Sequence, residues 1–356
     1  MSAVTVARWV EVHRLAVAGR ESAIAREVEG RVARVWLSRS RFADVAALAV
    51  ATLTLGPDAR SFWDLGFAQS STGQPRPALA NYEQALHRYR AAGHRNGEAA
   101  TLNNIGLVYH GLGDRQQALA YYQQALPISR EVGDRASEAA TLTNIGLAHG
   151  DLGERQQALA YLQQALPIRR EVGDRAGEAT TLTNIGLVYD MLGDPRQALA
   201  YYRQALPIRR AVGDRAGEAV TLANIGAAHD GLGDRQRALA YYRQALPIQR
   251  AVGDRAGEAV TLTNIGAAHD GLGDRQRALA YYRQALPIQR AVGDRAVEAT
   301  TRYNIAMIHW AERNLDQAVD ELEIVVDLHR QIGDPELESD IAELEQVRRE
   351  RGDIGE

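Results

Sequence analysis

The sequence predicts an all-α fold, an α-solenoid of tandem helical hairpins with N- and C-terminal capping helices. Three observations carry that expectation: a dipeptide that returns every 40 residues, an apolar spacing inside each unit that fits two helices, and turn residues at the joints between them.

The period decides the architecture. Ile105-Gly106 returns as Ile145-Gly146, Ile185-Gly186, Ile225-Gly226 and Ile265-Gly266, with Leu65-Gly66 before the series and Ile305-Ala306 ending it, so seven repeats are visible. Ala216 to Arg255 and Ala256 to Arg295 differ only at Ala223 against Thr263. Such duplication is tolerated because a stacked repeat need fit only its neighbours. The 356 residues would by length alone suggest about two domains, but stacked repeats grow without a single closed core.

Within Ala176 to Arg215, Leu182, Ile185, Gly186 and Tyr189 fall at the i, i+3, i+4, i+7 spacing of an amphipathic helix. After the turn signal Leu192-Gly193-Asp194, a second stripe runs through Ala198, Tyr202, Ala205 and Ile208. Small residues at Gly186, Ala198 and Ala205 let the two helices approach, while Tyr189 and Tyr202 fill the space between them. Gly213-Asp214 closes the unit: the glycine suits a left-handed helix stop and the aspartate caps the next helix. Arg215 and Glu218 are placed to form an exposed pair worth a few tenths of a kcal/mol. Pro127, Pro167, Pro207, Pro247 and Pro287 fall inside the second helix of five repeats, where loss of a backbone donor predicts a kink or interruption that tunes curvature.

The ends depart from the period. Residues 1–57 read as a capping helix, Thr5 to Ala18, followed by a shorter degenerate hairpin over Glu21 to Leu55; residues 58–334 hold the seven repeats. Residues 335–356 hold a charged capping helix, Pro335 to Arg349, with Leu337, Ile341, Leu344 and Val347 on one face, and a tail. A polar-backed cap is what an open solenoid end requires.

Composition narrows the function. The net charge of −4 supplies no overall basic field, so nucleic acid is not an expected partner. There is no cysteine, which removes disulfides, thiolate metal sites and a thiol nucleophile, and suits a cytoplasmic location. All 41 basic residues are arginine, so lysine chemistry is absent too. Val45 to Leu55 is too short and too interrupted to span a membrane, and Arg8, Glu11, His13 and Arg14 break any secretory signal. No serine, histidine and carboxylate set stands out, so no catalytic residue, cofactor or metal is expected. His149, His229, His269 and His309 occupy the slot of Tyr109 and Tyr189 on the core face, about a helix-packing distance apart. Zinc ligands must sit about 2 Å from one ion, so these histidines read as packing residues.

Leu102, Ile105, Gly106, Tyr109, Ala118, Tyr122 and Ala125 together resemble the tetratricopeptide repeat signature position for position, over about Asp58 to Gly333. The unit length is similar to the long-repeat subclass: kinesin light chains, Pins-type polarity adaptors and the repeat sensors of bacterial signal-transduction ATPases. The resemblance implies a right-handed superhelix whose first helices line a concave groove for a peptide segment. Asn104, Asn144, Asn184, Asn224, Asn264 and Asn304 match that subclass's asparagine ladder. Each amide offers a donor and an acceptor to a ligand backbone, or equally to backbone groups of neighbouring helices. Polarity adaptors carry an arginine where this chain has Ala100, Ala140, Thr180, Val220, Val260 and Thr300, so no arginine grip on an acidic ligand is implied along this face.

The groove set continues with Asn103, Thr143, Thr183, Thr263 and Tyr303, then Leu107, Leu147, Leu187 and Met307, predicting an apolar floor with hydroxyls. Asp190, Asp230 and Asp270 add acidity on one rim. The function expected is a non-enzymatic bacterial scaffold that binds a protein or peptide segment, free-standing or as the sensor part of a signalling system. The alternative is a receptor for a signalling peptide or small ligand that changes superhelix shape on binding. No membrane association is expected, and the chain should be a monomer or small oligomer.

Overall fold

The computed structural model describes residues 3–354, and the outermost two residues at each end of the capping segments lie outside that range. The described residues form eighteen helices and no strand. They begin with α1 (Ala3–Ala18), α2 (Ser22–Leu37) and α3 (Phe42–Leu53). Seven pairs follow: α4 (Ala59–Ser71) with α5 (Pro75–Ala91), α6 (Arg95–Gly111) with α7 (Arg115–Glu131), α8 (Arg135–Asp151) with α9 (Arg155–Glu171), and α10 (Arg175–Met191) with α11 (Pro195–Val212). Then come α12 (Arg215–Gly231) with α13 (Arg235–Val252), α14 (Arg255–Asp270) with α15 (Arg275–Val292), α16 (Arg295–Ala311) with α17 (Leu315–Ile332), and finally α18 (Leu337–Ile354). The chain is an α-solenoid of tandem hairpins, divided into two compact units, Met1–Gly177 and Glu178–Glu356.

The joints form as the sequence requires. Gly213 sits at φ +73° and ends α11 in the left-handed region, which costs a glycine little. Asp214 then accepts a hydrogen bond of 2.8 Å from the Gly217 amide and caps α12. Inside each hairpin the glycine of the period is a contact point: a Cβ on Gly226 would lie 2.5 Å from Tyr242 Cε1. Tyr242 is buried against Ala238, Leu239, Ile265 and Ala268, so one ring serves its own hairpin and the next.

Two expectations need correction. The arginine and glutamate pair after each joint is not an exposed one. Glu218 is buried, and accepts from Arg215 and, over 2.8 Å, from Arg210 Nε on the preceding helix, so it ties α11 to α12. Glu98, Glu138, Glu258 and Glu298 repeat the arrangement. The prolines do not interrupt their helices either: α7, α9, α11, α13 and α15 run through them. The carbonyl each proline frees belongs to Gln123, Gln163, Arg203, Arg243 or Arg283, all exposed, where water replaces the missing donor.

In the first unit, α1 to α4 share a core of Val6, Val28, Val32, Val45, Leu48 and Ala68. In the second, α18 packs Leu344 and Val347 into the end of the stack beside Leu315, Leu322 and Val326, with Leu337 and Ile341 at the margin. That helix starts two residues later and runs further than the charged pattern predicts. Pro335 lies in the turn before it, where Asp334 Oδ1 accepts from the Glu336 amide over 2.9 Å.

Candidate peptide-binding face

Within each unit the first helices of successive repeats touch one another: α4 meets α6 and α6 meets α8, while α12 meets α14 and α14 meets α16. Second helices pack mainly against the first helices before and after them. The first helices therefore line the inner side of each unit, and the residues they expose there form the candidate face.

Leu107 and Leu187 are exposed on it, at 45% and 41%, while Leu147 and Met307 are partly covered. Val220 of α12 and Val260 of α14, outside the expected groove set, are exposed at 43% and 39%. They stand where the polarity adaptors keep arginine, so this stretch is apolar rather than cationic. In the first unit the face holds a pocket of about 180 Å³ lined by Trp63, Ala100, Asn103, Asn104, Ala140 and Thr141. Trp63 Nε1 is buried without a hydrogen-bond partner. A donor left so is free to donate to a ligand carbonyl. Trp63 stands 40 residues before Asn103, in the same register, so the period points to the position and only the indole is particular to the first repeat.

The threonines belong elsewhere. Thr143, Thr183 and Thr263 are buried and donate to the carbonyls of Ala139, Ala179 and Ala259. Thr183 Oγ1 lies 3.4 Å from Thr221 Oγ1, and Thr263 Oγ1 lies 2.9 Å from Thr301 Oγ1, with Gln289 Nε2 donating to both members of the latter pair. This position clasps one first helix to the next instead of lining an open floor. Asn103 both lines the pocket and joins adjacent first helices, accepting from Thr141 Oγ1 over 3.3 Å and from Asn144 Nδ2 over 3.0 Å. Tyr303 hydrogen-bonds Glu343 of α18 over 3.2 Å, so the clasp at the last repeat is closed by the cap. A helix face turned from its own hairpin partner is turned toward the next repeat, and this buries the threonines.

The asparagine ladder divides. Asn104 and Asn304 approach the hydroxyls of Tyr82 and Tyr282, while Asn144 is held by Asn103. Asn184, Asn224 and Asn264 are half-buried and make no side-chain hydrogen bond among the described residues. Near them, burial holds the Asp190 carboxyl above its usual range. Asp230 and Asp270 lie 3.9 and 4.0 Å from Arg235 and Arg275, which share their charge.

The histidines are packing residues. His149, His229 and His269 are buried and stack on Tyr161, Tyr241 and Tyr281 at 5.3, 5.5 and 5.5 Å, with planes within 9°. His309 is buried without such a ring, Glu321 standing where the tyrosine would be. Among the described residues no three metal-ligating side chains converge, and no helix is long and apolar enough to cross a membrane.

Fold and face together define a helical-repeat protein that presents a ladder of amides and apolar side chains along its first helices. The chain belongs to the tetratricopeptide repeat family, whose sequence profile matches residues 88–131, 97–171, 137–211 and 217–291, more than half of its length. No curated protein sequence matches it. Among solved structures it is similar to a signal-transduction ATPase with numerous domains from Pyrococcus horikoshii that carries a tetratricopeptide repeat sensor, at 14% identity and a TM-score of 0.69, over 92% of this chain and 50% of that one. It is similar to aspartyl phosphate phosphatase F of Bacillus subtilis at 12% identity and a TM-score of 0.65, over 92% and 95% of the two chains. A Rap protein complexed with Competence and Sporulation Factor matches at 14% identity and a TM-score of 0.61, over 94% and 99%. At these identities the likeness is one of fold.

Proposed function

We propose that the chain is a non-enzymatic scaffold that holds a segment of a partner protein against the first-helix faces of its repeats, with residues 58–334 as the binding array. One observation carries this reading: Asn184, Asn224 and Asn264 keep half-buried amides unbonded beside exposed Leu187, Val220 and Val260. A half-buried amide without a partner forgoes hydrogen bonds that an extended backbone, with alternating N–H and C=O groups, is shaped to make. The neighbouring apolar side chains add the burial that gives such a complex affinity. The pocket under Trp63 supplies a second point of purchase in the first unit, of a size for one or two side chains. That a Rap protein of the same fold is complexed with Competence and Sporulation Factor agrees with a face that takes a small protein ligand.

The test is the double variant Asn184→Ala/Asn224→Ala, assayed by fluorescence anisotropy with peptides selected from a displayed random library on the wild-type protein. Binding weaker by about tenfold or more at an unchanged melting temperature is expected, since each lost amide removes bonds worth about 1 kcal/mol. Unchanged binding with lowered stability would assign the ladder to architecture and overturn the reading.

A further inference from the structure

The second helices of the second unit carry a charge pattern that the first-helix face does not use. Each of α11, α13 and α15 holds four arginines and no acidic residue, in a chain whose net charge is −4. Most of these guanidinium groups are committed: Arg210, Arg250 and Arg290 bind the buried glutamates of the next repeat, Arg209 binds Asp214, Arg237 and Arg277 pair with Asp234 and Asp274, and Arg235 and Arg275 lie against Asp230 and Asp270. Arg203, Arg243 and Arg283 are exposed and form no ion pair among the described residues. The equivalent positions in the first unit are Gln123 and Gln163, so the ladder of free cations begins at α11.

These cations border built furrows. Between α13 and α15 lies an open cleft of about 490 Å³, lined by Gln236, Leu239, Arg243, His269, Asp274 and Arg277. The His269 ring is buried, its Nε2 has no hydrogen-bond partner, and its Nδ1 is 3.9 Å from Asp274. The same set recurs one repeat earlier, where Arg203, Arg237 and Asp234 surround His229, whose Nε2 is likewise buried and unpartnered. Burial holds both imidazoles below their usual pKa, against the pull of Asp234 or Asp274 and with the help of the two guanidinium charges, so the fixed positive charge in each furrow comes from arginine. One repeat further the pattern ends: the furrow beside His309 holds Arg283, but Gln317 replaces the second arginine and Asp320 and Glu321 line the wall.

We infer that the two furrows around His229 and His269 form a second binding surface, on the side of the repeats opposite the asparagine ladder, that takes an acidic segment of a partner protein. One carboxylate would lie on Arg203 and another on Arg243, with Arg237 and Arg277, held by Asp234 and Asp274 over 3.1 and 3.2 Å, on the facing walls. Planar guanidinium groups pair with carboxylates through two parallel hydrogen bonds, and an arginine not already engaged loses no partner when it does so. Nucleic acid fits less well. Its affinity comes from many phosphate contacts along one track, whereas here only a few cations are free, Asp234 and Asp274 sit in the furrow walls, and Tyr241 and Tyr281 stack on histidines instead of offering a face to a base. This surface does not depend on the first-helix reading, since no residue of one serves the other.

The experiment is a titration of the whole chain with a fluorescent glutamate-rich peptide long enough to span two repeats, at low salt, comparing wild type with R203Q/R243Q/R283Q. A control variant, R39Q/R155Q/R349Q, removes the same charge from exposed positions elsewhere. The inference expects binding weakened by about tenfold or more in the first variant, little change in the control, and unaltered melting for both. Equal loss in both variants would reduce the effect to net charge and overturn it, as would unchanged binding in R203Q/R243Q/R283Q. Tighter, arginine-dependent binding of a single-stranded oligonucleotide would overturn the choice of partner, as would concentration-dependent dimerisation abolished by the same variant.

Discussion

Glu29 of α2 lies buried against α3 and α4, where its carboxylate accepts a 2.6 Å hydrogen bond from Ser61 Oγ. Burial pushes its pKa up to about 7, against hydrogen bonds from Ser61 and Thr52 that lower it, and the charges of Asp64 and Asp58 raise it further. Arg60 and Asp64 pair at 2.9 Å, and His13 reaches Thr52 at 2.8 Å from the other side. The folded chain thus holds a proton that the unfolded chain, with an ordinary value of 4.5, has released. Stability falls as pH rises from about 4.5 to about 7 and is flat above, by up to about 3 kcal/mol from this group. Glu29→Gln should therefore stabilise the protein by about 1–3 kcal/mol above neutrality and remove that slope, read as the difference between urea midpoints of wild type and variant across pH, because Asp64 and His13 titrate in both. An unchanged slope would show that Glu29 stays ionised. At Gly226 the constraint is steric. Gly226→Ala places a methyl group 2.5 Å from the Tyr242 ring and should cost about 1–3 kcal/mol in the same assay. Gly226 announces itself through its period, whereas nothing in sequence marks Glu29, an acidic residue on a charged helix whose burial depends on where α3 and α4 come to rest.

At the scale of the element, the periodicity of apolar and small residues was enough to read the helices. Leu182, Ile185, Tyr202 and Ile208 lie buried where their spacing put them, and the Gly-Asp joints stop and cap as their conformational preferences require. What spacing could not supply was the neighbour. The spacing within one hairpin leaves Thr183, Thr263 and Glu218 on an outer face, and it is the next repeat that buries them. The glutamates tie each second helix to the next first helix, so Glu258→Ala, which leaves Arg250 and Arg255 without their shared carboxylate, should lower stability by about 1–3 kcal/mol by chemical denaturation. A change within experimental error would mean that water serves those arginines equally well. The prolines act in the other direction. Pro247→Ala restores a donor for the Arg243 carbonyl in a helix that is already continuous, and should stabilise α13 by about 1–3 kcal/mol, less the entropy the unfolded chain regains. No gain, or a loss, would mean that the helix is shaped around the proline and the restored amide finds no acceptor.

For the molecule as a whole, stability is a sum of hairpins and the contacts between adjacent ones, because helices touch those beside them in sequence and the next first helix, and little else. An end is then the weakest place, and α18 is how the second unit treats it. Its Glu343 and Glu350 stand 40 residues beyond Tyr303 and Trp310 and bond to them, so the helix occupies the position of the next first helix with a polar outer side. Met307, Trp310 and Leu322 lose their cover without it. Deleting residues 335–356 should therefore strip hydrogen-exchange protection from α16 and α17 while leaving α12 and α13 close to their protection in the full chain, since the lost interface is felt by its neighbour and decays along the array. Protection lost equally from α12 through α17 would instead make the unit one cooperative block, and the nearest-neighbour account of this solenoid would fail.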